Sequence, residues 1–311
     1  MKAAVVTSFE KPPRYEDFAE PVAKGQNEML VDVLATGLHP LVRSKANGSH
    51  YTSTGALPLV PGVDGVGRGA DGKLRYFVLD NTQVGSMADK TVIEVGRSFV
   101  LPQGADPALV AAAVNPAMGP WLALRRRVSF EKGQKVLILG ATGSSGSMAV
   151  QAARHLGAAQ IIAAGRDERK LAALPALGAT DIMTLEDARL GSFARDVDVV
   201  LDFVWGESTA RTMTAMITER TDRGRPLTWI EIGSVAGPTA AIPSAALRSS
   251  RLQIVGSGIG SVPARDIVEE LPVMVNEIVR GALRVDAKVM PLADVEHAWT
   301  AHTRERIVFK P

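Results

Sequence analysis

The stretch KVLILGATGSSGSMAVQAARHLGA, residues 135–158, decides the fold. KVLIL reads as a short buried strand. Across the next segment Met148, Ala149, Ala152, Ala153 and Leu156 recur at helix spacing, and Gly157 ends the helix. A strand, a glycine-rich turn and a helix opening at Ser144 or Ser145 bring free backbone N–H groups and a positive helix end to one point. That point is an anion site, and a pyrophosphate fits it. Gly143 lets the backbone approach the phosphates, Gly146 lets the helix pack on the strand, and Gly140, Thr142, Ser144 and Ser145 complete the turn. Ala141 stands where the pattern G-x-G-x-x-G has its first glycine, with Gly140 one step earlier. The pattern alone is imperfect, so its place between strand and amphipathic helix carries the reading.

Downstream the rhythm repeats. QIIAA at 160–164 precedes a helix from Asp167, DVDVVLDFV at 196–204 precedes one from about Ser208, and LTWIEI and LQIVGS follow at 227–232 and 252–257. Strands alternating with helices argue a doubly wound parallel sheet covered on both faces. Upstream, residues 1–115 carry strand-like runs at 2–6, 28–35, 74–79 and 90–95, punctuated by Gly, Pro, Asn and Asp. This half is an irregular β-rich domain, and the chain as a whole is α/β.

The second strand of the series ends in AAGRDERK, residues 163–170. A dinucleotide site for NAD places Asp or Glu here for the ribose 2′-hydroxyl. In this chain Gly165 leaves room, and Arg166, Arg169 and Lys170 are cations available to a 2′-phosphate. The expected cofactor is therefore NADP(H). The other reading makes these cations an ordinary solvated helix start, with Asp167 free to serve a 2′-hydroxyl.

Composition narrows the class. At 311 residues, 46% hydrophobic and 22% charged, the chain can bury sizeable cores and suits more than one domain. The net charge is only +2, and the densest basic run, Arg125–Arg127, reads as a solvated helix end; no nucleic-acid partner is expected. There is no cysteine, which excludes disulfides and thiolate metal sites. No signal-peptide core or run of eighteen apolar residues is present, so the expectation is a cytoplasmic protein with no membrane partner.

Several segments together resemble the medium-chain dehydrogenase/reductase superfamily, in its zinc-free quinone oxidoreductase branch. They are MKAAVV at the start, ATGLHPLVRSKANGSHY (35–51), LPLVPGVDGVGRG (57–69), GSMADKTVIE (85–94), NPAMGPWLAL (115–124), DVVLDFVWG (198–206) and PLADVEHAWTAHTRERIVFKP (291–311). The resemblance covers nearly the whole chain. It implies a GroES-like domain at 1–115, a Rossmann NADP(H)-binding domain at 116–260, and a return to the first domain at 261–311 that closes on the strand RIVFKP. It also implies a cofactor held between domains and a homodimer formed through the sheet edge, here LQIVGSG unless that strand is an ordinary edge.

Zinc-dependent relatives resembling this chain show a cysteine near TGLHP and PGHE where this chain has PGVD. Here His39 lies near the first place, and Val63 and Asp64 occupy the second. A catalytic zinc needs three good protein ligands, so no metal is expected. The resemblance implies candidate catalytic residues in the first domain: Tyr51, to bond a substrate carbonyl unless it only packs; His39, which could equally cap a turn; and Asn115, facing the cofactor. His50 beside Tyr51 could relay a proton. On the nucleotide side Phe203 and Val204 should border the cofactor, Gly233 and Ser234 should approach its nicotinamide end, and Trp205 either lines the substrate pocket or caps the sheet. The implied function is zinc-independent hydride transfer from NADPH to a quinone or α,β-unsaturated carbonyl. Two alternatives stay open: a nucleotide-binding redox sensor or low-turnover partner protein on the same fold, and an enoyl-thioester reductase.

Overall fold

The computed structural model describes every residue except Tyr51, Thr54, Asp80, Asn81, Ile259, His302 and Arg304, together with the side chain of Ala264. The chain packs as two units, Met1–Asn115 with Leu271–Pro311, and Pro116–Glu270.

The first unit contains strands β1 (Lys2–Val5), β2 (Arg14–Asp17) and β3 (Glu28–Gly37), helix α1 (Pro40–Ala46), then β4 (Asp64–Gly69), β5 (Leu74–Val78), β6 (Lys90–Glu94) and β7 (Ser98–Val100). Strand β3 organises it. Its first half pairs antiparallel with β6 and its middle with β4, with a bulge between Val33 and Ala35. β4 is the sequence DGVGRG, a poor strand former by composition. Its glycines admit the ring of Phe77 from the neighbouring strand β5: a side chain at Gly67 would begin 3.2 Å from that ring. Packing thus overrides propensity here.

Helix α2 (Pro107–Leu122) runs on through a π-helical turn, Ala123–Arg127. In the second unit follow β8 (Lys135–Leu139), α3 (Ser144–His155), β9 (Gln160–Gly165), α4 (Glu168–Leu177), β10 (Asp181–Thr184), α5 (Leu190–Phe193), β11 (Val199–Asp202), α6 (Gly206–Glu219), β12 (Leu227–Glu231), α7 (Ser244–Arg248) and β13 (Leu252–Gly256). The strands form a six-stranded parallel sheet in the order β10-β9-β8-β11-β12-β13. Strand order reverses between β8 and β11, the switch point at which such sheets bind ligands. The register sets Ala164, Leu139, Asp202, Glu231 and Gly256 level across five strands, so the loops that follow leave the sheet side by side. Beneath them Leu137, Val200, Met213 and Trp229 are fully buried in one apolar cluster.

Helix α8 (Ala264–Val279), β14 (Ala287–Pro291), α9 (Val295–Thr300) and β15 (Arg306–Lys310) complete the chain. β15 pairs antiparallel with β3 through Val308–Gly37 and Phe309–Thr36, so RIVFKP does end the chain as a strand of the first unit's sheet.

Two expectations need adjustment, and one helix needs a note. The return to the first unit begins at Leu271, inside α8, ten residues beyond 261. The physical reason is Glu270. Its buried carboxylate accepts from Trp121 Nε1 at 2.8 Å, Arg125 Nε at 2.6 Å and Arg126 Nε at 2.7 Å, which fixes the first turns of α8 to the second unit. The same bonds correct the reading of Arg125–Arg127 as a solvated helix end, since Arg127 Nε also donates to Gly256 O at 2.7 Å. Finally, the helical segment Pro107–Arg127 is long and apolar enough to cross a membrane by length and composition alone, and 72% of its apolar window is buried within the protein.

Burial works to raise the Glu270 pKa, but the bonds from Arg125 and Trp121 outweigh it and leave the group below its ordinary value. Replacing Glu270 strands the buried Trp121 N–H, so Glu270→Ala is expected to cost about 1–3 kcal/mol. Urea denaturation followed by circular dichroism checks this; a midpoint equal to wild type would show that the cluster contributes nothing to stability.

Candidate functional site

In the second unit four loops converge on the C-terminal edge of the parallel sheet. After β8 the chain turns at Gly140, whose φ of +87° is a glycine conformation. Gly140 and Ala141 both donate to Ala164 O at 2.9 Å, which ties the turn to β9. Gly143 is the N-cap of α3. The amides of Ser144, Ser145 and Gly146, in the first turn, find no acceptor among the described residues, so they remain available to an anion. A β-carbon at Gly146 would lie 2.7 Å from Ala141 Cα and overlap the Gly140 carbonyl oxygen. Glycine there lets helix and turn close on each other, and Thr142, beside it, is half-buried.

Thr142 also alters the reading of Gly165. A β-carbon at Gly165 would sit 2.8 Å from Thr142 Oγ1, so the space that glycine leaves is filled by Thr142 rather than kept open for a ligand. Beyond it, Asp167 caps α4 by accepting from Lys170 N at 3.1 Å, which commits one of its oxygens. Arg166 and Arg169 are exposed and Lys170 half-buried, and none of the three pairs with an acid among the described residues. They are the uncommitted cations of this edge.

The loop after β11 hangs on Asp202, which is fully buried. Its Oδ1 accepts from Val204 N at 2.8 Å and Trp205 N at 3.0 Å, and its Oδ2 from Thr209 Oγ1 at 2.6 Å and Trp229 Nε1 at 2.9 Å. Its backbone oxygen accepts from Ile232 N at 2.8 Å and Gly233 N at 3.2 Å. Phe203 and Val204 are thereby buried against Gly140: a β-carbon on that glycine would lie 3.1 Å from Val204 Cγ2 and 3.3 Å from Phe203 Cβ. They support the turn from beneath. Gly233 and Ser234 follow β12, and a β-carbon at Gly233 would stand 3.4 Å from Phe203 O. All the expected nucleotide-side residues thus gather at one edge. The residue that sequence reasoning undervalues is Asp202, whose signal is an acid closing an apolar strand.

The first unit holds a separate buried polar cluster. Gly62, with φ +114°, turns the chain into β4 where a side chain would begin 2.6 Å from Ser86 N. Asp64 follows. Its Oδ1 meets His39 Nε2 at 3.1 Å and its Oδ2 accepts from Tyr76 OH at 2.7 Å, while its carbonyl accepts from Ser86 Oγ at 2.6 Å and Thr36 Oγ1 at 3.2 Å. Burial lowers the His39 pKa below 6.5 although Asp64 opposes the shift, and burial beside Asp64 pushes the Tyr76 phenol well above its ordinary value. His39 is only 2% exposed. It stands at the N-cap of α1 without capping it, since its ring bonds Asp64 instead. This corrects its placement among the catalytic candidates: a ring so enclosed supports β4 and has no open face for a substrate.

Asn115 Oδ1 accepts from Arg306 Nη2 at 2.9 Å, and its amide N–H groups are not engaged by that bond. Burial lowers Arg306 to about 10 against the favourable field of Asp64, and its Nε has no partner among the described residues. His50 Nδ1 lies 2.8 Å from Thr52 Oγ1, and burial lowers its pKa. Tyr51 lies outside the described residues. The chain has no cysteine, both oxygens of Asp64 are engaged, and no group of three or more His, Asp or Glu that could hold a metal is found among the described residues.

Residues 146–278 match the family model described as zinc-binding dehydrogenase. A probable NADPH-dependent quinone reductase of Emericella nidulans is 29% identical, with 96% of each chain covered. An NADPH-dependent alkenal/one oxidoreductase of Arabidopsis thaliana is 26% identical over 58% of this chain and 50% of its own length. Among solved structures, the quinone oxidoreductase of Thermus thermophilus, determined also in complex with NADPH, superposes with a TM-score of 0.83 at 27% identity, covering 100% of both chains. With the switch-point turn, the parallel sheet and the β-rich unit completed by the C-terminal strand, these likenesses support the medium-chain dehydrogenase/reductase superfamily, quinone oxidoreductase branch, for this chain.

Proposed function

We propose that this protein is a zinc-independent oxidoreductase that transfers hydride from NADPH to a quinone or an α,β-unsaturated carbonyl. The cofactor is NADP(H), in keeping with the NADPH-dependent relative and the NADPH-bound neighbour. When bound it supplies the hydride. The chain's own part is to hold and orient it: the amides of Ser144, Ser145 and Gly146 would take the pyrophosphate, Arg166, Arg169 and Lys170 the 2′-phosphate, and the loop at Gly233 and Ser234 the nicotinamide end.

One observation carries the choice of acceptor. Asp64 and His39, the two side chains nearest to a metal-ligand role, are spent on each other and on Tyr76. Without a Lewis acid, hydride goes most readily to an acceptor that delocalises the arriving charge, which quinones and enones do and simple ketones do not. An enclosed His39 bonded to Asp64 offers no face to a substrate, which favours water as the donor of the proton that follows. For assembly, β13 is the outer strand of the parallel sheet and the element we assign to a homodimer contact. NADPH oxidation against a panel of quinones and enones tests the reading. Turnover with at least one class is expected, and tight NADPH binding without oxidation across the panel would favour a low-turnover binding protein.

Two variants probe the assigned roles. Arg166→Ala and Arg169→Ala are each expected to lower kcat/KM for NADPH by about 10-fold or more, as loss of a charge-assisted bond does, while leaving NADH nearly unchanged. Equal losses with both cofactors would remove the 2′-phosphate assignment.

His39→Gln keeps a donor for Asp64 and is expected to retain activity, whereas loss of a true general acid costs about 100-fold or more. The same variant changes the pH dependence of stability. The folded-state pKa of His39 is depressed below 6.5, so as pH falls through that value the unfolded chain takes up a proton that the native state refuses. The His39 contribution is therefore present above that pH and lost below it. Melting curves at successive pH values should fall less steeply below neutrality for His39→Gln; identical slopes would mean that His39 carries no such linkage.

A further inference from the structure

We propose that Trp205 is a specificity-determining residue whose strained backbone holds its indole at the ligand end of the parallel sheet, where it takes the flat face of a bicyclic aromatic acceptor. The inference refines the reductase reading and rests on it for the class of acceptor.

Trp205 has φ 56° and ψ −165°. Among the described residues every other positive φ belongs to a glycine. A β-carbon makes that conformation costly, and strain of this kind persists only where the surroundings enforce it. Here they do. The Trp205 N–H is held by Asp202 Oδ1 at 3.0 Å, the preceding carbonyl of Val204 accepts from Ala236 N at 2.9 Å, and the next residue, Gly206, has φ +73°.

Core packing does not explain the strain. Trp121 and Trp229 are buried and each donates its indole N–H to a carboxylate. Trp205 is half-buried, and its indole N–H meets no acceptor among the described residues. Two further observations point to a ligand. Trp205 follows β11, which pairs with β8 at the switch point, so its loop adjoins the phosphate turn through the contact of Val204 with Gly140. In the loop after β12, bound to this one through Ala236, Val235 is 77% exposed. An exposed valine and a half-buried indole thus stand on adjoining loops next to a polar turn. That arrangement suits a planar conjugated ring system and gives a small acyclic enone little to cover.

The test uses the whole chain as wild type, Trp205→Gly and Trp205→Phe, with 1,4-naphthoquinone as probe; the protein has no cysteine to react with it. Affinity for the quinone is measured by equilibrium dialysis against NADP⁺-saturated protein, so the readout does not depend on turnover. Trp205→Gly is expected to weaken quinone binding by about 3- to 10-fold, and Trp205→Phe by less, in line with the worth of an aromatic pair. NADP⁺ affinity should not change. Because glycine relieves the strain, Trp205→Gly should also melt roughly 2–4 °C above wild type. Equal quinone affinity in wild type and Trp205→Gly, a lower melting temperature for that variant, or a loss confined to NADP⁺ binding would each overturn the proposal. A wild-type protein that binds the quinone with these dependences yet oxidises no NADPH would end the reductase reading and uphold this one.

Discussion

A carboxylate removed from water must be supplied with donors, and Asp202 receives four of them without any cation. Loss of a donor would expose a buried oxygen to the full cost of its desolvation. That requirement makes the position demanding and also makes it useful. The donors come from the loop after β11, from α6 and from β12, so one side chain fixes three pieces of chain relative to one another. The phosphate turn leans on the result, because Gly140 packs against Phe203 and Val204, which Asp202 holds in place. The strain at Trp205 is maintained by the same group.

The first unit solves a similar problem with different chemistry. Asp64 is nearly as enclosed; its carboxylate meets an imidazole and a phenol, and its backbone carbonyl accepts from two hydroxyls. A buried guanidinium, Arg306, contributes its field without a direct bond to the acid. Every lone pair engaged in this way is withdrawn from coordination. The residues that most resemble metal ligands have become structural supports for the entrance to β4.

What can be read from the chain follows the distance over which each signal acts. KVLIL, the glycine turn and the Met148–Leu156 stripe lie within two dozen residues, and strand and helix periods adjoin there; hence the turn with its free amides is visible. The row of partners around Asp202 is spaced by 2, 3, 7 and 27 residues, and no local pattern marks it. Glu270 meets Arg125 across 145 positions, so the basic triplet looks free in the sequence. β4 reads as little more than a turn and strand entry because its glycines obey Phe77 of a neighbouring strand rather than their own propensity. The left-handed backbone of Trp205 is imposed by partners before and after it, and the letters VWG do not disclose it.

The pairing of β15 with β3 has a consequence for the order in which the molecule is made. Residues 28–37 leave the ribosome well before one of their sheet neighbours, residues 306–310. Domains tend to fold as their sequence becomes complete. The unit at Pro116–Glu270 has all its strands in hand well before the unit that precedes it. The nascent N-terminal segment must therefore wait, with the apolar edge of β3 unpaired, while the nucleotide-binding unit folds. Strand β3 is completed by a strand made long after it.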